Sequence, residues 1–157
     1  MAVGSILKEQ ILATTPLLVK EDEDIRLGEL VCDDGAGAGL VAATAALKAD
    51  GMTVYMSTEE HIYADEEALG DDHIIVCVEV GYVEVIKKTG NDIYKGNQVI
   101  VSATSGEADL YVAPDVQAAY DEAEVQAILD LMANVIGRCT ENCLNADTTM
   151  KILIGVR

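Results

Sequence analysis

The pattern of apolar and polar positions along the chain is mainly that of short β-strands separated by turns. In residues 73–87 apolar and polar side chains alternate around Gly81, which predicts two strands or one long strand bent at a glycine. Residues 40–48 are rich in alanine and fit either a strand or a short helix. The pattern predicts a mainly β fold, a small β-barrel or sandwich, without an internal repeat. Further strands are predicted at 25–32, 52–57, 98–103, 109–113 and 151–156.

One segment has helical periodicity. Asp121 is a suitable N-cap, Glu124 can reach back to it, and apolar residues then recur at helical spacing as far as Ile136. Gly137 is expected to end the helix. We therefore predict one amphipathic helix over about residues 121–136. Its apolar stripe is expected to pack on the domain's own sheet, with a partner-binding face as the alternative.

The first 20 residues fit the pattern less clearly. Because Pro16 interrupts a continuous helix, residues 1–20 are predicted to be an N-terminal arm or a first strand. Residues 21–157 are predicted to form a single β-rich domain, with an acidic insertion near 59–72. If the first segment is an arm, it can pair with a strand of another chain. The candidate partner-interface residues are Ile6, Leu7, Ile11, Leu12, Leu17 and Leu18.

Composition and charge restrict the possible partners. Half of the 157 residues are hydrophobic, with no Phe or Trp, so small branched side chains must fill the core. The formal charge of −18 would repel nucleic acid and anionic membranes, so neither is an expected partner. No apolar run is long enough to span a membrane, and no secretory signal is recognised, which predicts a soluble protein made in the cytoplasm. The acidity leaves two explanations open, a basic partner surface or a salty environment.

The side chains that carry chemistry are few and scattered. Cys32, Cys77, Cys139 and Cys143 are predicted to be reduced thiols, since their spacing matches neither a disulfide framework nor a zinc site. The chain has two histidines, and neither lies in a motif that activates a nucleophile. We therefore predict no catalytic residues, no metal and no cofactor, and a protein that is not an enzyme.

The glycine loop is the alternative to that prediction. Residues 35–42 contain a Gly-x-Gly-x-x-Ala pattern typical of dinucleotide binding, and Glu59 lies where a ribose-binding acid would be expected. However, Asp33 and Asp34 at the mouth of the loop would repel a pyrophosphate. A Rossmann-type dinucleotide-binding enzyme is thus the second functional hypothesis, and a flexible turn between strands is the structural one.

The order of several short motifs resembles one protein family. These motifs are a Gly-Glu-Leu-Val stretch within residues 25–32, Val-Gly-Tyr-Val-Glu-Val at 80–85, Gly-Asn-Gln-Val at 96–99, and Val-Ile-Gly-Arg at 135–138 followed by Ile-Leu-Ile at 152–154. In this order they resemble the capsid decoration, or cement, proteins of tailed viruses. Each motif is weak alone, and their order over residues 25–157 carries the resemblance.

The resemblance implies a function and a location. Decoration proteins of this kind are small β-barrels or sandwiches that bind the outside of an assembled icosahedral capsid and stabilise it. The implied partners are the major capsid protein and further copies of the chain, most often in a homotrimer. The implied location is the exterior of the virion, after synthesis in the host cytoplasm. The acidic segment 59–72 and the helix near 121–136 depart from the family pattern.

Overall fold

The computed structural model describes residues 13–114 and 122–155. In these residues the chain forms nine strands and three helices. The strands are β1 (Ala13–Leu18), β2 (Leu30–Asp33), β3 (Leu40–Ala42), β4 (Tyr55–Ser57), β5 (Ile74–Ile86), β6 (Gln98–Val101), β7 (Ala108–Leu110), β8 (Val135–Cys139) and β9 (Thr149–Ile154). The helices are α1 (Ala45–Ala49), α2 (Tyr63–Leu69) and α3 (Glu122–Ala133).

All nine strands belong to one curled sheet in which every strand pair is antiparallel. The order is β3-β2-β4-β5-β9-β8-β6-β7, and β1 pairs with β5. The prediction of a mainly β, barrel-like fold is therefore confirmed. The alternation around Gly81 belongs to one long strand, β5, rather than to two.

The sheet consists of two similar halves, so the expectation that the chain has no repeat is wrong. The first half (residues 13–80) has the order β1-β5-β4-β2-β3, and the second half (residues 81–155) has β5-β9-β8-β6-β7. The last part of β5 is the outer strand of the second half, and it corresponds to β1 in the first half. Each residue pair of the first half has an equivalent pair in the second. Thr15↔Cys77 corresponds to Val83↔Ile152, and Met56↔Val78 corresponds to Arg138↔Leu153. Val31↔Ala42 corresponds to Val99↔Leu110.

The turn before the second strand of each half has the same sequence motif, which explains why both halves form the same turn. The motif Asp-Ile-x-x-Gly occurs at 24–28 and again at 92–96. The carboxylate of Asp24 accepts a hydrogen bond from the Tyr63 amide at 2.8 Å, and that of Asp92 accepts one from the Asn145 amide at 2.7 Å. The isoleucine that follows each Asp is buried, and the glycine adopts a positive φ, 76° and 91° respectively. Each motif thus fixes one turn against one loop.

Each half curls until its outer strands meet. Val19, directly after β1, forms a parallel bridge with Leu40 in β3, and Lys87, directly after β5, forms the equivalent bridge with Ala108 in β7. The interior of the first half is a small cluster of Val19, Ile25, Val31, Leu40, Ile75 and Cys77. The larger cluster contains the interior of the second half and the outer face of the first, including Leu30, Met56, Val83, Val99, Ile152 and Ile154. The two halves therefore share the larger of these two clusters.

The helix near 121–136 is shorter than predicted. Strand β8 begins at Val135, and Gly137 lies within that strand, so the prediction that Gly137 ends the helix is wrong. Gly137 is needed there because a Cβ atom would overlap the Leu153 carbonyl oxygen of the neighbouring strand β9. We expected the apolar stripe of this helix to pack on the domain's own sheet. None of the residues of α3 is buried, so that prediction is wrong. Asp121, the predicted N-cap, lies outside the described residues.

The acidic segment 59–72 contains the short exposed helix α2. The second half has a tighter connection at the same place. His61 and His73 flank the connection in the first half, and their equivalents Cys143 and Thr148 are only five positions apart. The helix is thus an elaboration of the first half.

Candidate functional site

The predicted interface residues are divided between described and undescribed parts of the chain. Ile6, Leu7, Ile11 and Leu12 lie outside the described residues. Leu17 and Leu18 lie in β1, which pairs with residues of β5 in the same chain. Leu17 is half-buried against the first-half interior, whereas Leu18 is 52% exposed. Residues 13–18 therefore form a strand of the sheet and not an arm that extends from the domain.

An exposed apolar surface lies where β1 pairs with β5. Pro16 is opposite Val76 and Leu18 is opposite Ile74, so all four side chains lie on one face of the sheet. Leu18, Ile74 and Val76 are 52%, 54% and 42% exposed. We call these four residues the docking face. Of the four, only Leu18 is among the interface residues predicted from the sequence, because the two strands that meet here are far apart in the chain.

Three of the four equivalent positions in the second half are polar, and the fourth, equivalent to Leu18, is Ile86. Glu84, Thr149 and Lys151 occupy the positions equivalent to Pro16, Ile74 and Val76. The Thr149 hydroxyl donates to the Glu84 carboxylate at 2.8 Å. The Lys151 ammonium lies 2.8 Å from the Glu141 carboxylate, and this contact raises the pKa of Lys151. Equivalent positions of one fold therefore carry hydrogen-bonded and charged side chains in one half and apolar side chains in the other, although Glu84 itself is only 7% exposed.

The glycine loop (residues 33–39) connects β2 and β3, which are antiparallel. A dinucleotide fingerprint works in a parallel β-α-β unit, where the loop amides surround a pyrophosphate at the start of a helix. In this loop the amides of Gly35 and Gly37 donate to the Asp33 carboxylate, at 2.9 and 3.1 Å, and those of Ala36 and Ala38 donate to Asp34, at 2.8 and 3.1 Å. The chain's own carboxylates hold the positions that a phosphate would take.

These bonds affect the acidity of Asp34. The amides of Ala36 and Ala38, together with Lys20 at 3.1 Å, lower the pKa of Asp34 to about 2. The loop is thus internally bonded around fixed negative charge, and its arrangement fits a structural turn.

The two histidines meet beside α2. His73 Nδ1 lies 3.4 Å from His61 Nε2, and the Tyr63 ring stacks on His73 with ring centres 4.2 Å apart. Burial lowers the pKa of His61, although Glu66 acts in the opposite direction. A cavity of about 280 Å³ beside the pair is lined mainly by carboxylates. No serine or cysteine lines this cavity, so the pair has no nucleophile to activate there.

The four cysteines are buried free thiols. Burial raises the pKa of Cys77 to about 12, and those of Cys32 and Cys143 to about 11. Because the thiolate is the nucleophile and the metal ligand, such thiols are inert at neutral pH. Within residues 13–114 and 122–155, no three His, Cys, Asp or Glu side chains are grouped so that they could hold a metal ion.

Two further features concern surfaces. Helix α3 exposes an apolar stripe of Val125, Leu129 and Met132, which are 42%, 54% and 57% exposed. In the part of the chain that the structure describes, no helix is long and apolar enough to cross a membrane.

The comparisons with known proteins give no relative of this chain. These two comparisons, with protein-family models and with curated proteins, found no significant match.

Proposed function

We propose that this protein is a non-enzymatic capsid decoration protein, which binds the outer surface of an assembled icosahedral shell and stabilises it. The order of motifs that resembles the decoration proteins of tailed viruses suggests the partner, the major capsid protein. A mainly β, barrel-like fold agrees with that resemblance. The location that follows from the proposal is the exterior of the virion.

One observation carries the proposal: at three of its four positions the docking face is apolar where the equivalent residue of the second half is polar. Proline, isoleucine and valine stand in place of glutamate, threonine and lysine, and Leu18 has the apolar equivalent Ile86. Since both halves have the same local fold, folding alone does not require apolar side chains at these three positions. Contiguous exposed apolar side chains are typical of surfaces that another protein covers.

The chemistry of the site favours many weak contacts over one strong contact. Covering a half-exposed Ile or Val contributes about 1 kcal/mol, so one copy binds weakly. A capsid offers the same site many times, and copies that also contact one another gain avidity. The net charge of −18 favours a partner whose surface around the contact is basic.

The proposal is tested with a variant in which three residues of the docking face are replaced by the polar residues at the equivalent positions of the second half. In Pro16→Glu/Ile74→Thr/Val76→Lys, each new residue is the one found at the equivalent second-half position, so we expect the fold to persist. The assay is co-sedimentation with capsids assembled from the major capsid protein encoded near this chain. We expect the wild type to sediment with assembled capsids but not with unassembled subunits, and the variant to stay in the supernatant.

A matched control is Leu144→Thr, which removes an apolar side chain that is 61% exposed in the second half. This control should bind capsids like the wild type. Binding of the triple variant at wild-type strength would refute the docking face, and a wild-type chain that never sediments with capsids would refute the function.

The N-terminal arm is a separate prediction, now restricted to residues 1–12. Deleting residues 1–20 would remove β1 from the sheet, so lost binding could not be assigned to an arm. Deleting only residues 1–12 leaves β1 and the docking face in place. If the arm hypothesis holds, this deletion weakens capsid binding without changing the melting temperature, and unchanged binding excludes it.

A further inference from the structure

The two halves of the chain contact each other through two different surfaces. The first half contributes the turn and strand edge around Gly28, Leu30 and Ala43, which we call the presenting face. The second half contributes the end of β5 and the loop that contains Gly106, which we call the receiving edge. Three backbone hydrogen bonds join them, from Ile86 N to Gly28 O at 3.0 Å, from Leu30 N to Gly106 O at 2.9 Å, and from Gly106 N to Ala43 O at 2.9 Å.

Side chains strengthen this contact. Arg26 lies 3.8 Å from Glu107 across the two halves. The Glu29 side chain is 4% exposed and lies so close to Gly106 that a Cβ atom there would overlap it. Leu30 and Ala43 are completely buried. The contact is therefore a packed protein interface within one chain.

Because the halves are repeats, each of them contains both surfaces. The presenting face of the second half comprises Gly96, Gln98 and Tyr111, the equivalents of Gly28, Leu30 and Ala43. The receiving edge of the first half comprises Leu18 and the glycine loop around Ala38, the equivalents of Ile86 and the Gly106 loop. No backbone hydrogen bond between described residues joins either of these surfaces to the other half.

Both of these remaining surfaces are open. On the presenting face of the second half, Gln98 and Tyr111 are half-buried, whereas their first-half equivalents are completely buried. Tyr94 and Val112 beside them are 56% and 62% exposed. At the receiving edge of the first half, a cavity of about 310 Å³ is lined by Leu17, Leu18, Asp33, Gly37, Gly39, Leu40 and Tyr55.

The chemistry of the two surfaces permits contact between two acidic chains. Tyr and Arg are enriched in protein interfaces, and Arg138, whose Nη1 donates to the Gly96 carbonyl at 3.2 Å, is exposed next to Gln98 on the presenting face. The receiving edge combines glycine, alanine and leucine with the loop carboxylates of Asp33 and Asp34, of which Asp34 pairs with Lys20. The charge of Arg138 on one copy is therefore opposite to that of Asp33 on the next.

We propose that the chain self-associates head to tail, with the presenting face of one copy's second half on the receiving edge of the next copy's first half. The new interface repeats the contact that already joins the halves within each chain. It places Leu18 of one copy against Gly96 of the next, as Ile86 lies against Gly28. Such a heterologous interface forms a closed ring when its rotation closes. A ring of three chains would place six similar halves around one axis.

This inference does not depend on the capsid proposal, and a mixing experiment tests it. Two variants are made separately, Ala38→Cys at the receiving edge and Tyr94→Cys on the presenting face, both at exposed positions. They are treated with a short bismaleimide alone and as an equal mixture. The wild type, whose four cysteines are buried, is the control for cross-linking through the native thiols.

We expect cross-linked dimers in the mixture and in neither variant alone. The double variant should give a ladder that ends at the number of chains in the closed ring, and light scattering of the untreated wild type should give the same number. Cross-linking of either variant with itself would indicate a symmetric, face-to-face contact and would overturn the proposal. A wild type that is monomeric at the highest soluble concentration would also overturn it.

A second pair of variants separates loss of the interface from loss of the fold. Ala38→Glu adds a charge at the receiving edge and should convert the oligomer to monomers without changing the circular dichroism spectrum. Leu69→Glu adds the same charge on α2, at a side chain that is 75% exposed, and should leave the oligomer intact. Equal effects of the two substitutions would show that charge alone, and not this contact, controls assembly.

Discussion

Replacing Gly137 distinguishes sharply between a glycine that ends a helix and one that lies within a sheet. A Cβ atom at this position would overlap the Leu153 carbonyl oxygen and lie 3.0 Å from the Leu153 carbonyl carbon and 3.2 Å from the Ile154 Cα. All of these atoms belong to the backbone of β9, which pairs with β8. Strand backbone cannot move aside as a flexible side chain can, so Gly137→Ala must separate the two strands locally.

We expect Gly137→Ala to lower the free energy of unfolding by about 3 kcal/mol, the upper part of the range for overpacking. For a chain of this length that corresponds to a fall in melting temperature of roughly 6–12 °C. With a slope of about 2 kcal/mol per molar urea, the unfolding midpoint falls by about 1.5 M. Urea titration followed by circular dichroism measures both the midpoint and the slope.

The control is Gly70→Ala at the end of α2. Gly70 has φ 74° and nothing near the position of its Cβ, so only the cost of a left-handed alanine applies, about 1 kcal/mol. A Gly137→Ala variant that loses no more stability than Gly70→Ala would refute the strand contact, and position 137 would then behave as a helix end.

Three further predictions concern buried ionisable groups. Thr149→Val should lower the free energy of unfolding by about 2 kcal/mol in a thermal melt, because the buried Glu84 carboxylate loses the hydrogen bond from the Thr149 hydroxyl and its Oε2 has no other partner among the described residues; unchanged stability would contradict this. Cys77 and Cys32, with pKa values raised to about 12 and 11, should react with Ellman's reagent at pH 8 only after unfolding. Since the unfolded thiols ionise first, their contribution to stability should be lost as pH rises from about 9 towards 12. Burial lowers the pKa of His61, so the unfolded chain binds the proton more readily and stability should fall as pH decreases below 6.5; His61→Gln should flatten that slope in urea titrations at pH 5 and 7.

The sequence predicted the fold class because strand formation leaves a local signal. Alternating apolar residues around Gly81 and the glycine turns on either side are visible within short windows. The same local rule failed at Val135 and Ile136, which continue the helical spacing of α3 but lie in β8. Their side chains are buried in the sheet, and that tertiary contact overrides the periodicity of the segment.

The repeat was missed because few side chains preserve it. Around the turn only a lysine (Lys20 or Lys88), the Asp-Ile-x-x-Gly motif and the valine that follows it (Val31 or Val99) stand at matching positions. The longer connection that contains α3 in the second half, and then the connection that contains α2 in the first half, shift the spacing of the strands that follow them. Hydrogen bonds of the backbone define the repeat, and these do not require identical side chains.

The docking face could not be predicted from local pattern, since it depends on the pairing of β1 with β5. Pro16 was a partial signal, because proline within a strand indicates an edge or an exposed position. Neither Ile74 nor Val76 differs in type from the buried residues next to them. Only the register Leu18↔Ile74 shows that both point outwards.

The uninterrupted strand β5 determines how the molecule would stand on any surface that it binds. Its first part lies between β1 and β4 in the first half and its last part is the outer strand of the second half, so no flexible hinge separates the halves along these thirteen residues. A partner that binds residues 74 and 76 also fixes the orientation of Glu84 and Ile86 further along the same strand. The second half would therefore project from its support at one fixed angle, so that a layer of such molecules presents a regular outer surface.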